Sequence, residues 1–202
     1  LAHFRFPQRR LVPAAREANS LPLLVHAPSN RAVKGTRYVL EAVDQLRREG
    51  HAFEFRLLEN LKNTEVLATL AIADIAIDQV CGAWPGRFGI ESLASGCVLV
   101  GGLRPDYCQC PETPPIVPFE PHSSKLADSL RSLIVDQNRR TELMRASYEY
   151  WQTYYSPEAF VRWFQRVLDG TAETFDPLPN HKEHLLRFAE NGFQRFIIRW
   201  FY

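Results

Sequence analysis

HAPSNRAVKG at residues 26–35 and GRFGIES at residues 86–92 decide how this chain folds. The first stretch follows a short apolar run, 21–25, and carries two cations, Arg31 and Lys34, ahead of a helical pattern. The second opens a helix on glycines and places a carboxylate, Glu91, a turn later. Two strand-to-helix turns so equipped are a way for an open α/β sheet to hold a nucleotide. Diphosphate oxygens favour cations and helix N-termini, where free N–H groups and the helix dipole point outward. A ribose diol favours a carboxylate, which accepts from both hydroxyls. The two turns together read as half of a sugar-nucleotide site.

Working outward, the run 21–25 predicts a buried strand and 34–49 a helix. In that helix Val39, Ala42, Val43 and Leu46 recur at i, i+3, i+4 and i+7, and Arg37, Glu41, Asp44 and Arg48 lie on the opposite face. Gly50 stops it. The next strand is expected over 53–58, a helix over 64–72, and a third strand over 75–77 that ends at Asp78-Gln79. Residues 86–95 read as a helix with Gly96 as its C-cap, and 97–100 as the fourth strand. The prolines within 114–119 place a fifth strand at a sheet edge. Strand and helix alternate four times, which predicts an α/β, Rossmann-like parallel sheet flanked by helices.

The remainder reads as helical. Leu126, Leu130, Leu133 and Ile134 share a face. Ser156-Pro157-Glu158 supplies an N-cap, a first-turn proline and a first-turn acid. Phe160, Trp163, Phe164, Val167 and Leu168 then make an apolar stripe. Three parts are expected: a linker or domain end over 1–20, a nucleotide-sugar-binding domain over 21–170, and a C-terminal linker and amphipathic helix over 171–202. In that last helix Leu186, Ala189, Phe193, Ile197 and Trp200 run beside Arg187, Arg195 and Arg199. It reads as a helix packing on another domain, the alternative being a surface helix on anionic lipid.

Composition narrows the class. The 202 residues are 46% hydrophobic and 23% charged, with a net charge of +1, so no basic field argues for nucleic acid. No apolar run approaches the ~20 residues of a membrane helix, and residues 1–5 do not read as a signal peptide. Residue 1 is Leu, and the expectation is a piece cut from a longer protein. Cys81, Cys97, Cys108 and Cys110 are unevenly spaced, a poor zinc signature that fits a reducing cytoplasm.

Three segments carry a family resemblance: VHAPSNRAVKGTRYVLEAVDQL (25–46), ADIAIDQVCGAWPGRFGIESLASGCVLVGG (73–102) and SLRSLIVDQNRRTELMRASYEYWQTYYSPEAFVRWFQRVL (129–168). Together they resemble the C-terminal, donor-binding domain of GT-B fold glycosyltransferases, family 4-like (glycosyl transferases group 1). The resemblance covers roughly residues 21–170. It implies a glycosyltransferase that binds a nucleotide-diphospho-sugar and, with an N-terminal domain, transfers the sugar with retention to a saccharide or lipid-linked acceptor. It also implies a metal-independent site with no further cofactor, work in polysaccharide or glycolipid assembly, and a cytoplasmic place, with peripheral contact at the inner membrane face as an extension. Two rivals are a GT-B sugar-nucleotide epimerase and a non-catalytic sugar-nucleotide-binding module.

The resemblance assigns roles residue by residue. Arg31 and Lys34 match the Arg and Lys that hold the donor diphosphate and stabilise its departure; otherwise they are a solvated loop pair. Glu91 matches the carboxylate that grips the donor ribose, the alternative being a helix-surface Glu. Gly86, with the N–H of Arg87, matches the helix N-terminus that faces phosphate, or is only a turn glycine. One departure stands out: the usual first Glu of the acidic motif falls at Ala83. Asp78 substitutes for that acid or caps a loop at the strand end. His26 contacts the donor or is a histidine satisfied by backbone groups. Tyr38, Gln109 and Trp84 are further candidates for base or sugar contacts.

Overall fold

The apolar run before the cationic loop becomes β1 (Leu23–His26), whose four residues are all buried. It lies inside a five-stranded sheet with β2 (Glu54–Leu57), β3 (Ile75–Ile77), β4 (Val98–Gly101) and β5 (Ile116–Pro118), in the order β2-β1-β3-β4-β5. All neighbouring pairs run parallel. The helices are α1 (Thr36–Arg48), α2 (Asn63–Leu70), α3 (Arg87–Ala94), α4 (Ser123–Val135), α5 (Gln137–Tyr154) and α6 (Pro157–Leu168). These are features of a computed structural model, which describes residues 20–80, 82, 84–103, 114–118 and 123–171. The 1–19 segment, Cys81, Ala83, Cys108, Gln109, Cys110 and the amphipathic pattern beyond residue 171 lie outside the described residues.

The sequence dictates which strands are central. β1, β3 and β4 are apolar on both faces and wholly buried, as parallel strands covered on both sides must be. β2 exposes Glu54 and Arg56, and β5 ends on the exposed Pro118; both occupy edges, where a missing amide donor or a charged residue is tolerated. The fold class read from the sequence is the one observed.

Strand alternation sends side chains into two cores. Leu24, Ile75, Ile77, Val98 and Val100 face one side and meet Val39, Val43 and Leu46 of α1 and Leu126, Leu130 and Leu133 of α4. Leu23, Val25, Ala76 and Leu99 face the other and meet Phe88 and Leu93 of α3 and Tyr150 and Trp151 of α5. Each fully buried Leu contributes about 1.5–3 kcal/mol relative to exposure.

Local chemistry sets the helix ends. After α1, Gly50 takes φ 83° and its N–H reaches Arg47 O, while His51 N–H reaches Leu46 O. After α3, Gly96 takes φ 67° and Cys97 N–H reaches Ser92 O, feeding the buried Cys97 into β4. Both are left-handed closures that glycine permits at least cost. Asp136 caps α5 by accepting from Arg139 N–H at 2.9 Å, and Ser156 caps α6 by accepting from Ala159 N–H at 3.0 Å.

The chain divides into two units, Leu1–Gln165 and Arg166–Tyr202. Of the second, the described part is the last turn of α6, closed by Gly170 N–H on Val167 O and Thr171 N–H on Arg166 O. In the first, Phe160, Trp163 and Phe164 of α6 stand half exposed, Phe160 stacked against Phe164. Among the described residues no helix is long and apolar enough to cross a membrane.

Arg140 is the least anticipated structural residue. It is buried, and its Nη1 donates to Leu133 O at 2.6 Å and Ile134 O at 3.1 Å, satisfying carbonyls left open at the end of α4. Arg140→Met keeps much of the apolar stem but leaves those carbonyls without a protein donor. It is expected to cost about 1–3 kcal/mol, read as a lower midpoint in urea unfolding with an unchanged slope.

Candidate functional site

The sheet order places a reversal between β1 and β3. From β1 the chain moves to β2 on one side; from β3 it moves to β4 and β5 on the other. The loops leaving the carboxyl ends of β1 and β3 therefore diverge, and ligands of open α/β sheets bind in the crevice at such a switch point. Six of the described residues singled out from sequence sit on these two strand ends and loops: His26, Arg31, Lys34, Asp78, Trp84 and Gly86.

The β1–α1 loop is wound by Asn30. Its Oδ1 accepts from Ala32 N–H and Val33 N–H at 3.0 and 3.1 Å, and its carbonyl accepts from Lys34 N–H at 2.9 Å. Gly35 at φ 65° then turns the chain into α1. This winding separates the two cations. Arg31 points outward and forms a bidentate pair with Glu59, Nε to Oε1 at 2.8 Å and Nη2 to Oε2 at 2.6 Å, with its side chain 59% exposed. That pairing raises the Arg31 pKa and holds the Glu59 carboxyl below the usual range.

Lys34 points inward. Its Nζ lies 2.6 Å from Asp78 Oδ1, with the two side chains 11% and 2% exposed. Asp78 Oδ2 accepts from Gly86 N–H at 2.7 Å, so one carboxylate ties the β1–α1 loop to the start of α3. The glycines of Pro85-Gly86-Arg87-Phe88-Gly89 make room for it. A Cβ on Gly86 would lie 2.9 Å from Lys34 Nζ, and one on Gly89 would lie 2.6 Å from Asp78 Oδ2. The Gly86 N–H read from sequence as facing phosphate is thus held by Asp78 in this structure, and the strand-end Asp does cap a loop.

Gln79 organises the loop beyond. Its carbonyl accepts from Gly82 N–H and Gly102 N–H, each at 3.1 Å, and its side-chain amide donates to Trp84 O. A Cβ on Gly102 would collide with the carbonyl of Gly82.

Glu91 lies on the second turn of α3 and is 8% exposed. Asn63 Nδ2, at the start of α2, and Arg87 Nε donate to its Oε1 at 3.1 and 3.0 Å. Both of these contacts reach the same oxygen. Arg87 itself is 70% exposed along its side chain. Asn63 escaped the sequence reading, because only the packing of α2 beside α3 brings it to Glu91.

His26 ends β1 fully buried. Its Nδ1 is 2.7 Å from Ile77 O and its Nε2 3.0 Å from Thr36 Oγ1. A carbonyl can only accept, so Nδ1 carries the proton and Nε2 accepts from the threonine hydroxyl. Both ring nitrogens are engaged within the fold. Among the described residues no group of three His, Cys, Asp or Glu side chains is placed to hold a metal ion.

A doubly covered parallel sheet with its reversal between β1 and β3 defines a Rossmann-like α/β domain. More particularly, the fold matches that of GT-B glycosyltransferase domains. No family model matches the sequence, and no curated protein matches it. The structural similarity is clear: to Anabaena HepE, solved in complex with UDP and glucose, the TM-score is 0.56 at 14% identity, covering 74% of this chain and 48% of that one. To sucrose-phosphate synthase from Thermosynechococcus elongatus it is 0.56 at 12% identity, covering 75% of this chain and 45% of that one. At such identities the likeness is one of fold, and the chain spans about half the length of these structures.

Burial lowers the His26 pKa below 6.5, the largest influence, opposed by the Ile77 carbonyl and by Asp78; Lys34 lowers it and Glu59 raises it. The folded imidazole therefore stays neutral where the unfolded one takes a proton. Stability from this source is complete above pH 6.5 and is lost as the pH falls below it. His26→Gln, which cannot titrate, is expected to flatten the pH dependence of unfolding free energy below that point, by at most about 1.4 kcal/mol per pH unit. Urea titrations of both proteins at pH values bracketing the histidine range check this.

Proposed function

We propose that the chain is the donor-binding half of a retaining glycosyltransferase. It takes a nucleotide-diphospho-sugar at the β1/β3 switch point and, with an N-terminal domain, passes the sugar to a saccharide or lipid-linked acceptor. The observation that supports this most is the meeting of Lys34, Asp78 and the start of α3 at that crevice. Among the described residues Glu91 on the same helix is held through Oε1, so its Oε2 is the acceptor offered to a ribose hydroxyl.

On this reading the chemistry is electrostatic. Breaking the bond between anomeric carbon and phosphate leaves an extra negative charge on the nucleoside diphosphate. The Lys34 ammonium, set in a nearly dry site, stabilises that charge more strongly than it would in water. Arg31 makes only an exposed ion pair with Glu59, which a diphosphate can displace at little cost. The site requires no metal in this reading, and the segment 184–202 packs on another domain, the alternative being a membrane face.

Two measurements test the site. Calorimetric titration with UDP, GDP and ADP is expected to show binding of at least one and to name the base, and adding Mg²⁺ or EDTA is expected to leave that affinity unchanged. No binding by any of the three defeats the proposal, and loss of binding in EDTA defeats its metal independence. Glu91→Gln exchanges one acceptor oxygen for a donor. It is expected to cost about 1–3 kcal/mol in nucleoside diphosphate binding and much less for the 2′,3′-dideoxy analogue. Wild-type protein that binds the dideoxy compound as tightly as the natural one removes Glu91 from the ribose site.

A further inference from the structure

We propose that Asp78 is a positioning residue for the donor diphosphate, acting through Lys34 and not by touching the sugar. The inference rests on the donor-site reading above and assigns to this carboxylate a part that reading leaves open. Its side chain is 2% exposed, so it offers no face to a ligand. Both oxygens are engaged, Oδ1 by the Lys34 ammonium at 2.6 Å and Oδ2 by Gly86 N–H at 2.7 Å. A buried ammonium without a counter-ion is strongly disfavoured in its charged form. The Asp78 carboxylate supplies that counter-ion from the neighbouring strand.

The geometry leaves Lys34 able to do more. An ammonium has three N–H donors, and among the described residues Asp78 is the acceptor found for Nζ. The remaining donors are available to phosphate oxygens without breaking the pair. Gly86 and Gly89 keep the pair uncrowded, since a Cβ at either would press on Nζ or on Oδ2. One carboxylate thus sets both the cation and the N-cap amide of α3 at the crevice, although Lys34 and Asp78 are 44 residues apart in sequence.

The test is a double-mutant cycle on the 202-residue chain, with UDP, GDP and ADP each paired with its nucleoside and read by calorimetry. Asp78→Asn and Lys34→Met are each expected to weaken the nucleoside diphosphate by about tenfold or more while leaving the nucleoside within about twofold. In the Lys34→Met background, Asp78→Asn is expected to change diphosphate affinity by less than about twofold, because the carboxylate acts through a cation already gone. If Asp78→Asn fails to fold, by thermal melting, Lys34→Met is compared with Lys34→Met/Asp78→Leu, which replaces a buried pair by apolar side chains. Equal diphosphate affinities in those two support the proposal. Asp78→Asn binding diphosphate as tightly as wild type or more tightly, losses that multiply in the double variant, or equal losses for nucleoside and diphosphate overturn it. Wild type binding none of the three diphosphates overturns the donor-site reading as well, so the two failures are distinguishable.

Discussion

The contact between Lys34 and Asp78 is the constraint around which the sheet's carboxyl edge is arranged. It crosses from the loop after β1 to the end of β3, the two parallel strands at which the strand order diverges. Taking both charges out of water costs several kcal/mol, and their attraction offsets this only with good geometry and further hydrogen bonds. The Gly86 amide on the second carboxylate oxygen is such a bond. Two glycines in five residues, at 86 and 89, follow from the same requirement, because side chains there would meet the ammonium or the carboxylate. Replacing such a buried pair by apolar residues of similar volume is often neutral for stability, so the pair by itself is weak evidence of a stabilising role.

The two cations that the sequence places three residues apart are physically unlike. Arg31 sits at the rim with a bidentate acid partner in solvent, free to exchange that partner. Lys34 sits within the fold, committed to Asp78. His26 lies behind them as a neutral spacer, linking β1 to β3 through Ile77 O and to α1 through Thr36 Oγ1. Its neutrality follows from its burial, through the cost of desolvating an imidazolium. A neutral ring there adds no charge to the edge, where the buried Lys34 ammonium is balanced by the Asp78 carboxylate.

Much of the fold was legible in the sequence because it rests on short-range patterns. The apolar runs gave β1, β3 and β4; the 3.6-residue spacing of Val39, Ala42, Val43 and Leu46 gave α1; Gly50, Gly96 and Ser156 marked helix ends by conformational freedom and capping. Prolines placed β5 at an edge, as observed. The candidate site was legible only as a set of residue types. Which acid meets which base depends on β1 lying beside β3 and on α2 lying beside α3, and neither adjacency is written in local periodicity. Hence Asp78 could be read as a sugar-binding acid or as a loop cap, and Asn63 and Arg140 were not seen at all. The Gly-x-x-Gly spacing after Asp78 was the one available signal that a bulky buried group lay against that turn.

The state of Glu91 carries the argument furthest toward chemistry. A carboxylate free in solvent presents two equivalent oxygens and rotates between them, and ordering it on a ligand costs side-chain entropy. Here Asn63 and Arg87 converge on Oε1 and fix the plane of the group before anything binds. The carboxylate remains largely buried, and among the described residues both donors found for it reach the same oxygen. Preorganised acceptors of this kind favour a ligand whose donor arrives along a single line. The same reasoning joins the two halves of the crevice. At one end a cation is held by an acid, at the other an acid is held by donors, and α3 connects them through Gly86 and Glu91. In the donor-binding role proposed above, a phosphate would lie at the first end of this helix and a hydroxyl pair at the second.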